Sequence, residues 1–175
     1  QIGTFSTGIF SLKENTPDIQ TNARTLNLAS DESTVKARLV KFVEDAGLAD
    51  SNIEEASILV AGGRGVGSAE GFDKLRELAR LLGGNIAASR GAVDEGWISR
   101  DYQVGATGKT VTPKIYFACG ISGAVPHVVG MKDSETIIAI NTDPAAPIFD
   151  VAHYGIIGDL HKVIPELIEI LKQTK

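Results

Sequence analysis

Hydrophobic positions change their rhythm along this chain. Residues 1–32 are polar, with isolated apolar residues among scattered Thr, Asn and Ser. Short strands are offered there at Ile9-Phe10 and at Thr25-Leu26-Asn27-Leu28, but no repeat is strong enough to define a core element. Order begins near Ser33. Val35, Leu39, Phe42, Val43 and Ala46 share one helical face, and Gly47 is a stop signal. Ser57-Ile58-Leu59-Val60-Ala61 is then an unbroken apolar run ending in Gly62-Gly63, which predicts a buried strand and a tight turn. Phe72, Leu75, Leu78, Ala79 and Leu82 mark an amphipathic helix closed by Gly83-Gly84. Further strands are predicted at Asn85–Ala88, Ile115–Cys119, Thr136–Asn141 and Tyr154–Gly158, with a short helix over Gly123–Val129. Asp159 is placed to cap a last helix whose inner face carries Leu160, Val163, Ile164, Leu167, Ile168 and Leu171.

Unbroken apolar strands alternating with amphipathic helices predict an α/β fold, an open parallel sheet with helices on both faces. Such sheets bind ligands beyond the carboxyl ends of their strands. Here those ends read Gly62-Gly63-Arg64, Ser89-Arg90, Gly120-Ile121-Ser122-Gly123, Asn141-Thr142-Asp143 and Gly158-Asp159. All are small or polar, so one extended site is expected along that edge.

Composition narrows the ligand. A net charge of −5 over 175 residues gives no electrostatic case for nucleic acid or an anionic membrane. No apolar run approaches the roughly 20 residues of a membrane span. The single cysteine, Cys119, permits no internal disulfide and no paired-cysteine metal site, and it fits a reducing compartment. The sequence opens on Gln1, which suggests a processed or truncated product.

Gly62-Gly63-Arg64-Gly65-Val66-Gly67-Ser68 departs from the dinucleotide fingerprint, since Ser68 stands where the third glycine belongs, and from the phosphate loop, since no Lys follows Gly67. Gly108-Lys109-Thr110 is a second near-miss, with Gln103 in place of the first glycine, so ATP hydrolysis has no support. Arg64 inside a glycine turn suits an anion contact. Arg90, after a buried strand, is either a surface arginine or part of the site. Gln103-Val104-Gly105-Ala106-Thr107-Gly108-Lys109 and Ser122-Gly123-Ala124-Val125-Pro126-His127 are glycine-rich turns offering backbone N–H groups, hydroxyls, a Lys and a His. That mixture suits a ligand with phosphates and a polar aromatic ring. His153 and His161 fit structural roles, Cys119 reads as a small buried hydrophobe, and Asp94-Glu95 reads as a solvated helix end. The three histidines lack metal-ligand spacing, and no catalytic triad or carboxylate pair can be assembled.

Taken with Gly130-Met131-Lys132-Asp133-Ser134 and Ile138–Phe149, these stretches resemble the C-terminal, FAD-binding domain of the electron transfer flavoprotein α subunit, over Ser57–Lys172. The resemblance implies a Rossmann-like sheet of the DHS-like NAD/FAD-binding type, with residues 33–175 as the FAD-binding domain and 1–32 as a remnant of a linker or of a missing N-terminal domain. It implies FAD as cofactor and a heterodimer with the electron transfer flavoprotein β subunit. The family carries electrons from acyl-CoA or other dehydrogenases to a quinone reductase or another acceptor, and some members take part in electron bifurcation. It is an electron carrier rather than a substrate-converting enzyme. A bacterial cytoplasmic setting is expected before a mitochondrial matrix.

By the same resemblance, Arg64, Ser89 and Val104, Gly105, Ala106 and Thr107 line the flavin, with Thr107 at N5 and Arg90 against the isoalloxazine face. His127 lies at the O2 carbonyl, where a protonated ring would stabilise negative charge on the reduced flavin together with Arg90. Ser122, Gly123, Ala124, His127, Asn141, Asp159 and Leu160 hold the ribityl, pyrophosphate and adenosine parts. One departure is Pro126, where family members often carry Gln, so a contact from that side chain is lost. The rival reading is an NAD-binding regulatory or deacetylase-like domain on a similar sheet, although the zinc cysteines of a deacetylase are missing. A purely structural interaction domain is the plainest alternative.

Overall fold

The computed structural model describes residues 52–174, together with Thr25. The helix expected over Val35–Ala46 and the strand at Ile9-Phe10 lie outside the described residues.

Six strands form one parallel sheet: β1 (Ile58–Gly62), β2 (Asn85–Ser89), β3 (Gln103–Val104), β4 (Ile115–Cys119), β5 (Thr136–Asn141) and β6 (Tyr154–Ile157), in the order β3-β2-β1-β4-β5-β6. Every strand pair is parallel. This is the doubly wound order, and the winding reverses between β1 and β4.

Alternation along the strands divides the core in two. Val60, Ala88, Phe117 and Ile140 face one cluster, while Leu59, Ala61, Ala87, Tyr116, Ala118 and Ala139 face the other. The first is covered by α1 (Gly71–Leu82), α2 (Arg90–Asp94) and α4 (Leu160–Gln173). In α1 the apolar stripe buries Phe72, Leu75, Leu78 and Ala79, and in α4 it buries Leu160, Ile164 and Ile168. Glu77 and Lys172 join the two helices by an ion pair of 3.0 Å. The second cluster closes over Ile53, Val111, Met131 and Ile148 and the strand face beneath them. On that side lie α3 (Val125–Val128) and the 3-10 turn Pro147–Asp150.

Three local details differ from the sequence reading. β6, an edge strand, is exposed at every residue, whereas β3 at the opposite edge is buried. An apolar run here marks an edge, not a buried strand. The short helix is only Val125–Val128, because Gly123 at φ 86° cannot continue a right-handed turn. β3 is two residues of glycine-loop sequence that pair with β2, too short to leave a periodic signal.

Candidate functional site

Where the winding reverses, the chain leaves β1 and β4 through bare backbone. Gly63 N–H donates to Cys119 O at 2.9 Å, and Gly65 N–H donates to Gly120 O at 3.0 Å. A Cβ on Gly120 would lie 2.8 Å from Gly65 Cα, and its φ of 63° favours glycine in any case. Where Gly65 and Gly120 meet, neither carries a side chain, so main-chain groups line that part of the crevice floor.

A cleft of about 850 Å³ opens over this floor. It reaches from β2 and β3 on one side to β5 and the start of α4 on the other. Of the residues expected at the site, Arg64, Ser89, Arg90, Val104, Gly105, Ala106, Thr107, Ser122, Ala124, His127, Asn141, Asp159 and Leu160 all line it. Gly123 does not. It is buried, and a Cβ there would lie 2.5 Å from Ile148 Cα, so it packs the loop against the 3-10 turn instead. Asp94 and Glu95, read as a solvated helix end, are exposed and also border the cleft.

The sheet delivers each group in turn. Ser89 ends β2 and is the N-cap of α2, which sends Arg90 into the cleft from the first helical position. Arg90 Nε sits 3.2 Å from Asp94 Oδ2, one helical turn on. Arg64 begins a 3-10 turn after β1, and its stem crosses Gly91, where a Cβ would lie 2.9 Å from Arg64 Cγ. Asn141 ends β5. Its Nδ2 donates to Ile121 O at 2.9 Å and its Oδ1 accepts from Asp143 N–H at 3.0 Å, so it ties the β4 and β5 loops together. Asp159 caps α4 by accepting from His161 N–H at 2.9 Å. The α4 N-terminus thereby faces the cleft through Gly158, Asp159 and Leu160.

The β3 loop is clamped to α3. Ala106 N–H donates to Pro126 O at 2.7 Å and Val111 N–H to Gly130 O at 2.8 Å. Gly105, at φ 138°, packs so tightly that a Cβ would lie 2.7 Å from Pro126 O. Beneath this clamp His127 is 7% exposed, with Nδ1 3.1 Å from Val104 O and Nε2 3.0 Å from the Tyr116 hydroxyl. A carbonyl cannot donate, so Nδ1 carries the proton; Nε2 of the neutral ring then accepts from Tyr116. Burial pushes the His127 pKa down to about 4, partly offset by the hydrogen bond to Val104. Without a ligand, desolvation favours the neutral ring and both nitrogens have partners; the protonated His127 of the sequence reading is one that faces a reduced flavin.

Two residues of this site escape the sequence reading. Tyr116 is visible there only as a strand residue, and nothing in its spacing points eleven residues on to His127. Gln103 stands out only as a blemish in a phosphate-loop pattern, yet it is 4% exposed and its Nε2 donates to Thr107 Oγ1 at 3.0 Å. Cys119 is fully buried, and desolvation pushes its thiol up to about 12. Among the described residues no group of three His, Cys, Asp or Glu is placed to hold a metal ion. No described helix is long and apolar enough to cross a membrane.

Strand order and cleft together define a doubly wound, Rossmann-like α/β domain with a nucleotide-type site at its switch point. Comparison with known proteins makes the class specific. Residues 52–132 match the family model described as the electron transfer flavoprotein FAD-binding domain. The electron transfer flavoprotein subunit alpha of Thermoanaerobacterium thermosaccharolyticum is 55% identical over 144 residues, covering 82% of this chain and 43% of that protein. Its counterpart in Clostridium acetobutylicum is 57% identical over 144 residues, covering 82% and 42%. Protein FixB of Clostridium saccharobutylicum is 49% identical over 174 residues, covering 99% of this chain and 51% of that protein. The chain spans about half the length of the curated relatives it matches. It belongs to the electron transfer flavoprotein α-subunit family, in the region of the FAD-binding domain.

FAD is the group that domain implies, and the residues present fit it. The cleft is of a size for a dinucleotide-scale ligand. Part of its floor is bare glycine backbone, the Arg64 guanidinium and a helix N-terminus face it, Arg90 borders it, and Thr107 and Ser122 present exposed hydroxyl-bearing side chains.

Proposed function

We propose that this domain binds FAD in the switch-point cleft and serves as the electron-carrying half of an electron transfer flavoprotein. It would work as a heterodimer with the β subunit, taking electrons from acyl-CoA or other dehydrogenases and passing them to a quinone reductase or another acceptor. The bacterial cytoplasm is the setting the bacterial relatives favour. One observation carries the reading: residues scattered from Arg64 to Leu160, each expected at a flavin, converge on a single cleft.

Bound FAD supplies the electron-accepting ring, and the chain supplies position and charge. Arg64 and the α4 N-terminus would hold phosphate, since both offer donors to anionic oxygen. The 104–107 loop would lie along the ring, with Thr107 directed at N5. Arg90 would oppose negative charge on the ring. His127 would contribute a fixed, neutral wall rather than a cation, and would take a proton at Nε2 only if negative charge beside it outweighed its desolvation. The relatives of this chain are named as electron transfer proteins, so the domain is read as a carrier rather than a substrate-converting enzyme. An NAD-linked reading is not favoured, because the matched family is a flavin one.

Mass spectrometry of the small molecules released on denaturing the purified protein tests this. FAD at about one per chain is expected. NAD in its place, or no dinucleotide combined with no uptake of added FAD, contradicts the reading.

A further inference from the structure

Gln103 is buried behind the loop that carries Thr107. Its own backbone is already committed: N–H donates to Arg100 O, and the carbonyl accepts from Lys109 N–H at 2.8 Å. Gly105 N–H donates to Lys109 O at 3.0 Å, which closes the loop on itself. Gly108 leaves the room for this, since a Cβ there would lie 3.0 Å from Gln103 Cγ. The loop is thus folded without help from the Gln103 side chain. That side chain nonetheless makes a specific contact, Nε2 to Thr107 Oγ1 at 3.0 Å.

The direction of this contact has a chemical consequence. An amide NH2 donates and cannot accept. Thr107 Oγ1 must therefore accept, and its own proton is turned away from Gln103. Among the described residues no acceptor takes that proton. Thr107 is exposed and lines the cleft. A hydroxyl held this way presents a proton to whatever occupies the cleft, and it suits a ligand atom with a lone pair.

We propose that Gln103 is a positioning residue that fixes Thr107 as a hydrogen-bond donor toward an acceptor atom of the bound ring. This rests on the reading that the ring belongs to FAD. Gln103 touches no ligand atom in this scheme and acts only through Thr107.

Two variants and one background separate this from a structural role. Q103M keeps length and removes the amide. Q103E keeps shape but reverses polarity, because its carboxylate accepts the Thr107 proton and leaves only lone pairs facing the cleft. FAD titrations followed by flavin fluorescence quenching should show about tenfold weaker binding for Q103M, the scale of one aligned hydrogen bond, and at least as much for Q103E. The visible bands of bound FAD should shift in Q103E. In a T107V background, adding Q103M should change affinity less than twofold, since the contact it serves is already gone. Equal losses from Q103M with and without Thr107 overturn the proposal, as does a Q103E protein with wild-type affinity and spectrum.

A second measurement needs no FAD. In the ligand-free chain, the Gln103 side-chain amide protons should exchange slowly with solvent and shift in T107V. Fast exchange, or signals indifferent to T107V, overturns the contact itself. A wild-type chain that takes up no FAD sinks the flavin reading and the ligand half of this proposal, while the exchange experiment still decides whether Gln103 orients Thr107.

Discussion

Tyr116 and His127 meet through a hydrogen bond of 3.0 Å between the phenol oxygen and Nε2, with their ring centroids 6.1 Å apart. Tyr116 is fully buried in the sheet, and His127 closes the cleft wall above it. Val104 O accepts from Nδ1–H and so fixes the tautomer, burial holds the ring's pKa down, and the phenol donates to the remaining Nε2.

The sign of that shift sets a pH dependence. The folded-state pKa is lowered from 6.5 to about 4. Between those values the unfolded chain binds a proton that the folded chain refuses. The His127 contribution is therefore complete above pH 6.5 and is lost as pH falls toward 4, by at most about 3 kcal/mol. Urea denaturation at pH 7 and pH 4.5 should show this loss, reduced in H127N. Nitrogen-15 spectra should report the neutral Nδ1–H tautomer at pH 6. A ring titrating near 6.5 contradicts the account.

Removing the phenol oxygen should reverse part of this. Y116F deletes a hydrogen bond made to the neutral ring, so the His127 pKa should rise. The unpaired, buried Nε2 should cost about 1–3 kcal/mol of stability. The same spectra and denaturation curves check both effects.

Gly105 and Gly67 make a contrasting pair. Both have positive φ, 138° and 83°, but a Cβ on Gly105 would strike Pro126 O while one on Gly67 would meet nothing within 4 Å. G67A should cost about 1 kcal/mol, from backbone preference alone. G105A should cost about 2–4 kcal/mol and should also weaken FAD binding, because it pries the loop from α3. Equal costs would remove the clamp from the account.

Arg90 and Asp94 form an exposed pair, with side chains 67% and 60% accessible, so the pair adds little to stability. Its effect should fall on the cofactor. R90A should leave the unfolding midpoint in place and lower the midpoint potential of bound FAD by roughly 60 mV, a tenfold change in a one-electron equilibrium. D94N should raise it. An unchanged potential in R90A removes Arg90 from the ring.

Cys119 should resist alkylation in the folded protein, since it is fully buried and its thiol is held protonated. Iodoacetamide labelling should appear only with denaturant. Labelling at neutral pH without it contradicts the packing around β4.

Much of the fold is legible in the sequence because its signals are local. Apolar runs such as Ile58–Ala61 and Ile115–Cys119, and the stripe from Phe72 to Leu82, declare buried strands and an amphipathic helix by themselves. The cleft is legible in the small and polar residues that close each strand, such as Ser89 and Asn141. The features that stay hidden depend on contacts across the chain. β3 exists only by pairing with β2, β6 is exposed while the opposite edge strand is buried, and the neutral ring of His127 follows from its burial beneath a loop far along the chain. Gln103 shows the same limit, since its value lies in a side-chain contact and not in any motif.

The central claim is that the switch-point cleft is a flavin site, and a titration of the ligand-free protein with FAD, read by visible absorbance and fluorescence, tests it most directly. The account predicts saturation at about one FAD per chain, with binding weakened by G105A. Absence of saturable binding in the folded protein, or binding indifferent to G105A, would contradict it.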